Sequence, residues 1–169
     1  MITTRFATPA DAQAICEICS SAWRVTYENL NSPDYIEKVI ADFYNLDRVT
    51  KECSTSDENW HGYMVAELDG QVLGAIGGGV SENNTLGHIY VLYVHPDHKG
   101  KGMGRALVDF LTDHQKTTYG ISRQQVTVAQ GNIMGIPFYE AMGFTCQGEI
   151  PSWYNPGGKE NFTFERELL

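Results

Sequence analysis

His95-Pro96-Asp97-His98-Lys99-Gly100-Lys101-Gly102-Met103-Gly104-Arg105-Ala106-Leu107 is the run on which the fold class turns. Just before it, residues 87–95 carry Ile89, Val91 and Tyr93 on one face and Tyr90, Leu92 and Val94 on the other. Apolar residues on both faces suit a central strand covered on both sides. Just after it, Met103, Ala106, Leu107, Phe110 and Leu111 recur at three and four, the stripe of an amphipathic helix. Glycines at alternate positions let the backbone turn tightly and leave its N–H groups uncovered. The helix that follows adds unpaired amides and the positive end of its dipole. Lys99, Lys101 and Arg105 add positive charge. A strand–turn–helix so equipped is a site for a phosphate or pyrophosphate.

Two common phosphate loops are excluded. A P-loop needs a glycine–lysine pair followed by Ser or Thr, and none occurs here. A dinucleotide fingerprint needs GxGxxG. Counting from Gly100 the third glycine falls on Arg105, and counting from Gly102 it falls on Leu107. Gly77-Gly78-Gly79 fails too, because Glu82 occupies the last position.

Outward from the turn, hydropathy sorts the rest of the chain. Residues 2–7 read as a short strand. Thr8-Pro9 gives an N-cap and a proline in the first helical turn, and Ala12, Ile15, Ile18, Cys19 and Ala22 follow at helical spacing. A looser stretch is expected over residues 23–31. Ser32-Pro33 opens a second helix with Ile36, Val39, Ile40 and Phe43 on one face, fading into a polar region over residues 50–59. Residues 63–68 and 72–80 are strand-like and joined by the hairpin signal Asp69-Gly70. Beyond the glycine turn come a strand over 124–129, a short helix over 133–142 ended by Gly143, and strands over 144–150 and 161–168. The order is β-α-α-β-β-β-α-β-α-β-β. It predicts one α/β domain over residues 1–169, with helices on both faces of a mixed sheet.

Composition narrows the function. The 169 residues are 42% hydrophobic, too apolar for a disordered chain. The net charge of −9 argues against a general nucleic-acid or anionic-membrane binder, which needs a basic face. No apolar run reaches the length of a signal peptide or a membrane span, so a soluble cytoplasmic protein is expected. Cys16, Cys19, Cys53 and Cys146 are too few and too scattered for a disulfide framework. Cys16 and Cys19 read as thiols on an apolar helix face rather than as metal ligands. His95 and His98 are separated by Pro96, which breaks any helix between them, so no metal site is expected.

The glycine turn resembles the acyl-CoA motif of the GCN5-related N-acetyltransferases (GNAT family), a Q/R-x-x-G-x-G/A pattern. Lys99-Gly100-Lys101-Gly102-Met103-Gly104 matches it with Lys in the first place. A second element downstream is similar to the family's strand-x-N-x-x-A-x-x-F-Y-x-x-x-G-F segment. It comprises residues 126–132, ending in Asn132, then Phe138-Tyr139-Glu140-Ala141-Met142-Gly143-Phe144, with Gly135 where Ala is usual. The resemblance covers essentially the whole chain and implies a mostly antiparallel sheet of six to seven strands.

What the resemblance implies for function is specific. Acetyl would pass from acetyl-CoA to a primary amine of a small molecule, cationic ones included, or of a peptide, by direct attack in a ternary complex. A non-catalytic acyl-CoA-binding module is the alternative. Amides and side chains of Lys99, Gly100, Lys101, Gly102, Met103, Gly104 and Arg105 would hold the pyrophosphate. Backbone groups of Leu92, Tyr93 and Val94 would pair with the pantetheine arm of coenzyme A, and the Leu92 N–H would polarise the thioester carbonyl. Tyr139 would protonate the departing thiolate; a phenol with a pKa of about 10 suits that task. Asn132 would bond the pantetheine, cap the next helix, or do both. His88 stands where many members carry a Glu base. A histidine with a pKa of about 6.5 can take a proton at neutral pH, with Glu149 or water as the other candidates. Trp23, Tyr27, Tyr90, Glu149, Trp153 and Tyr154 would line the acceptor site, where aromatics and carboxylates suit an ammonium. No nucleic-acid or membrane partner is expected, and a homodimer is left open.

Overall fold

The computed structural model of the protein describes residues 1–132, 134–150 and 161–168. Its seven strands form one sheet in the order β1-β2-β3-β4-β5-β7-β6. The strands are β1 (Ile2–Phe6), β2 (Tyr63–Leu68), β3 (Gln71–Ser81), β4 (Leu86–Val94), β5 (Arg123–Ala129), β6 (Thr145–Ile150) and β7 (Asn161–Glu167). Every neighbouring pair is antiparallel except β4 with β5. The helices are α1 (Ala12–Tyr27), α2 (Pro33–Phe43), α3 (Leu46–Ser54), α4 (Met103–Tyr119) and α5 (Gly135–Ala141).

Two cores flank the sheet, as the two-faced apolar pattern of β4 requires. On one side Ile15 and Cys19 of α1 and Val49 of α3 pack on Tyr63, Val65 and Ala75. On the other, Leu107 and Leu111 of α4 and Tyr139 of α5 pack on Met64, Ile76, Val126 and Phe164. Cys19 is fully buried on α1, and burial pushes its thiol well above the ordinary range, as befits a packing residue. Among the described residues no helix is long and apolar enough to cross a membrane.

Three local expectations are corrected. The helix begun at Ala12 does not loosen at Trp23 but continues through Tyr27, after a 3₁₀ turn over Pro9–Asp11. The helix opened by Pro33 does not fade into a polar loop. Tyr44 leaves helical geometry, and Asn45 then caps a new helix, its Oδ1 accepting from the Arg48 N–H at 2.8 Å. The short helix before Gly143 begins at Gly135 rather than 133.

Gly77-Gly78-Gly79, which matches no phosphate loop, has a packing explanation. A Cβ on Gly77 would enter the Trp60 ring, one on Gly78 the His88 carbonyl, and one on Gly79 the Asn59 carbonyl. The β3–β4 register also slips here. Gly77 pairs with Val91 and Gly78 with Ile89, so Tyr90 is the extra residue of a β-bulge.

Behind the bulge lies a buried polar network. Gln115 of α4 donates through Nε2 to the Gly79 carbonyl (2.9 Å) and the His88 carbonyl (3.2 Å). Its Oε1 accepts from Gln124 of β5 at 3.2 Å. Arg166 of β7 joins them, donating to Gln124 Oε1 at 2.8 Å and to the Met142 carbonyl at 2.8 Å. These bonds tie α4 to the three strands around the bulge.

Because the atom facing Gly78 is backbone, it cannot rotate away. Gly78→Ala should therefore cost about 2–3 kcal/mol through overpacking. In a chain of this size that lowers the melting temperature by roughly 5–10 °C. Scanning calorimetry checks it, and an unchanged melting temperature would refute the packing account.

Candidate active site

The parallel ladder between β4 and β5 runs only from Leu86↔Arg123 to Ile89↔Val126. Beyond it β5 stays with β7, while β4 continues to Val94 with a strand on one side alone. The His95 N–H donates to the Leu73 carbonyl at 2.8 Å, on the β3 side. Successive N–H groups of a strand point to opposite sides, so those of Leu92 and Val94 face away from β3, into the gap. An extended ligand arm could bond there as a further strand would.

That gap opens into a cleft of about 460 Å³. Its floor includes Leu92, Tyr93 and Val94. Lys99, Gly100, Gly102, Met103, Gly104 and Arg105 line one end, and Asn132, Phe138 and Tyr139 the wall opposite β4. Eleven of the twelve residues assigned to the cofactor from sequence thus share one cleft. Lys101 stands outside this lining, its Nζ 3.3 Å from His98 Nδ1.

The turn has the geometry its glycines suggest. Gly100 (φ 78°) and Gly102 (φ 92°) are left-handed, a conformation costly for other residues. Gly102 caps α4 with no side-chain bond, so the first amides of a 17-residue helix are uncovered. A Cβ on Gly104 would press on the Phe138 ring at 3.2 Å. The backbone thus approaches α5 closely, leaving the turn free to contact a ligand.

Asn132 does cap α5. Its Oδ1 accepts from the Gly135 N–H at 2.8 Å and from that of Met134 at 3.3 Å, leaving its Nδ2 for a ligand. Tyr139 lies in α5 with its ring edge-on to Phe138 and Phe144. It is buried, and burial holds its hydroxyl well above the ordinary phenol range. A protonated phenol therefore faces the cleft.

A second cleft, of about 640 Å³, lies on the α1–α3 side and shares Tyr27, Ile89, Tyr90 and Tyr93 with the first. Tyr90, pushed out by the bulge, stacks on His88 with centroids 5.2 Å apart and planes 9° apart. His88 lines this second cleft, and its Nε2 is 2.7 Å from Ser81 Oγ. If Nε2 carries the proton and Ser81 accepts it, Nδ1 is left as a base. Burial lowers the His88 pKa, against the opposing pull of Glu82 and Glu165, so the neutral ring prevails at pH 7.

Trp23 and Tyr27 fall one turn apart on α1 in the wall of this cleft, their ring centroids 4.0 Å apart and planes tilted by 38°, and Tyr35 of α2 lines the same wall. Tyr27 also lies with its hydroxyl 3.5 Å from that of Tyr93. Glu28 and Asp34, acidic neighbours of these aromatics in sequence, are exposed and outside the lining. Glu149 is exposed on β6 and accepts from Gln130 at 2.9 Å; Gln130, not Glu149, lines the cleft. Trp153 and Tyr154 lie outside the described residues. The carboxylate that does line the cleft is Glu52 of α3, with Trp60 and Arg48 nearby. Its segment reads as polar loop until Asn45 is recognised as a cap, which turns Val49, Glu52 and Cys53 into one inward face.

In sequence and in fold the chain is similar to known proteins. The acetyltransferase (GNAT) family model matches residues 14–144. An uncharacterised N-acetyltransferase of Methanocaldococcus jannaschii is 32% identical over 95 residues, 56% of this chain and 60% of that protein. An acetyltransferase of Yersinia pestis is 31% identical over 88 residues, 52% of this chain and 60% of that protein. The match therefore spans about 60% of the length of these curated relatives. Among solved structures, the PaiA N-acetyltransferase of Thermoplasma acidophilum in complex with coenzyme A superposes with a TM-score of 0.85. It is 23% identical, with 99% of each chain covered. YncA of Salmonella typhimurium, solved with its cofactor acetyl-CoA, gives 0.65 at 25% identity, covering 99% of this chain and 94% of that one. With its sheet parted after Ile89 and its glycine turn at the mouth of the gap, the chain belongs to the GNAT acetyltransferase family.

Proposed function

We propose that the protein transfers an acetyl group from acetyl-CoA to a primary amine of a small molecule or peptide, by direct attack in a ternary complex. The observation that carries this reading is the unpaired stretch of β4. It exposes the Leu92 and Val94 amides between a cation-bearing glycine turn and an aromatic cleft. The solved relatives holding coenzyme A and acetyl-CoA support the choice of cofactor. Bound there, acetyl-CoA would supply an activated thioester.

The residues present fit such a ligand. The uncovered amides after Gly102, with Lys99 and Arg105, meet a pyrophosphate. Asn132 Nδ2 and the amides of β4 bond an amide-bearing arm. The Leu92 N–H donates to the carbonyl oxygen as negative charge builds on it, where one such donor is worth about 3 kcal/mol. His88 takes the proton that the incoming amine sheds. Tyr139 gives its proton to the sulfur. The phenol is raised by burial, but a thiolate in the same dry cleft is raised too, so the transfer stays favourable. A mere binding module needs neither Tyr139 nor His88 facing the ligand. The acceptor enters from the second cleft, whose aromatic walls suit a cationic amine.

Tyr139→Phe keeps the ring and removes only the proton. Thiol release from acetyl-CoA in the presence of an accepted amine should fall about 100-fold. Calorimetric affinity for coenzyme A should hold within about threefold, because the phenol contributes one contact among many. Equal loss of both would make Tyr139 a packing residue, and no loss would remove it from the mechanism.

The His88 assignment makes a prediction about pH. A base must be unprotonated, and burial lowers this ring below its ordinary pKa of about 6.5. The acid limb of kcat/KM should therefore lie below pH 6.5, with the rate lost as pH falls through that lowered value. His88→Gln should cut kcat/KM by about 100-fold or more and abolish this limb. A limb that survives the substitution would assign the base elsewhere.

A further inference from the structure

Glu52 of the second cleft carries a buried polar atom that acetyl transfer to a simple amine does not use. Its Oε1 is buried and meets no hydrogen-bond donor. Its Oε2 is 3.6 Å from Arg48 Nε. Arg48 divides its charge between that oxygen and the Phe43 ring, its guanidinium 4.6 Å above the ring. Trp60 donates from its indole to the Glu52 carbonyl at 3.0 Å, which fixes its ring beside that turn of α3. Tyr63 packs edge-on to Trp60 at 5.0 Å, and Tyr44 completes the aromatic surround.

An unsatisfied buried carboxylate oxygen is costly until a donor reaches it. Aromatic faces around it favour a cation over a neutral donor. The amine that attacks the thioester is a poor candidate, because a carboxylate beside an amine keeps it protonated and unreactive. The attacking amine needs the neutral His88, on β4 beside the gap. Glu52 is on α3, in another wall of the same cleft. The cleft therefore offers two environments for nitrogen, one that removes a proton and one that holds it.

Resting on the acetyl-transfer reading above, we infer that Glu52 binds a second, distal ammonium of the acceptor, so that the preferred substrates are diamines with one end neutral at His88 and the other charged among Tyr44, Trp60 and Tyr63. The inference adds a specificity-determining residue to the acceptor site and narrows the acceptor class.

The test compares n-pentylamine with 1,5-diaminopentane and 1,8-diaminooctane, reading thiol release from acetyl-CoA. The diamine-to-monoamine ratio of kcat/KM should exceed one for at least one chain length. In Glu52→Gln that ratio should fall at least tenfold, chiefly through KM for the diamine. Arg48→Ala should move it the other way, since it removes the competing cation from Glu52. A purely structural Glu52 would not make the two substitutions act in opposite directions. A ratio unchanged in Glu52→Gln, or a fall in Arg48→Ala, would overturn the inference. Titrating tryptophan fluorescence with 1,8-diaminooctane gives a readout independent of turnover. If no amine releases thiol, acetyl transfer itself has failed. The titration then still decides on Glu52: weaker binding in Glu52→Gln supports it, and equal binding overturns it.

Discussion

The parallel ladder between β4 and β5 stops after four residue pairs, and the rest of the molecule is arranged around that stop. A strand in the middle of a sheet should have both edges bonded, since unpaired backbone groups away from water are expensive. Here the edge of β4 from Tyr90 to Val94 faces a cleft instead of a strand. Several features make this tolerable. Gly77 and Gly78 let β3 follow the bulge, and Gln115 takes up the His88 carbonyl just before it. On the far side of the gap, Asn132 caps α5 and so fixes the wall that carries Tyr139. Each device leaves the Leu92 and Val94 amides available, and a ligand with regularly spaced carbonyls would complete the sheet.

Features governed by local chemistry are legible in the sequence, and those that depend on distant partners are not. The glycine turn is local: positive φ at Gly100 and Gly102 and an uncapped helix start follow from a dozen consecutive residues. The strands over Tyr63–Leu68 and Asn161–Glu167 also show in their own patterns. By contrast, Gly77-Gly78-Gly79 is intelligible only once Trp60, His88 and Asn59 are known to press on it. Helix α3 was hidden because its inward face is short and its polar residues dominate; Asn45 was the signal, and it demanded reading a cap immediately after another helix. Glu52 went with it. Trp23 and Tyr27 were visible as residues, but their shared face depends on α1 persisting through Tyr27.

Charge is distributed to match the two clefts. The chain is strongly acidic, yet Lys99 and Arg105 line the glycine turn, where an anionic ligand would lie along the positive end of α4. The other cleft carries aromatic rings and a carboxylate. An anion and a cation would thereby be drawn to opposite ends of one path, whose two clefts share Tyr90. Electrostatic complementarity of this kind acts more on encounter and orientation than on affinity. It sets which way round each ligand lies before any proton moves.

The proposed proton transfers depend in turn on how β4 is held. His88 is part of the last ordered section of the parallel ladder, paired with Gln125 and Gly79. Its carbonyl is bonded by Gln115, its ring by Ser81, and its face by Tyr90. Tyr90 is the residue the bulge extrudes, so the stacking partner of His88 and the turn of β4 toward the gap come from the same insertion. Without the extra residue, the alternation of β4 would carry Leu92 and Val94 to the opposite side of the strand. Their amides would then point into β3, and the gap would lose both its donors. A single added residue in one strand therefore fixes the direction of the Leu92 amide and the setting of the His88 ring together, which is why neither can be understood apart from the register of β3 and β4.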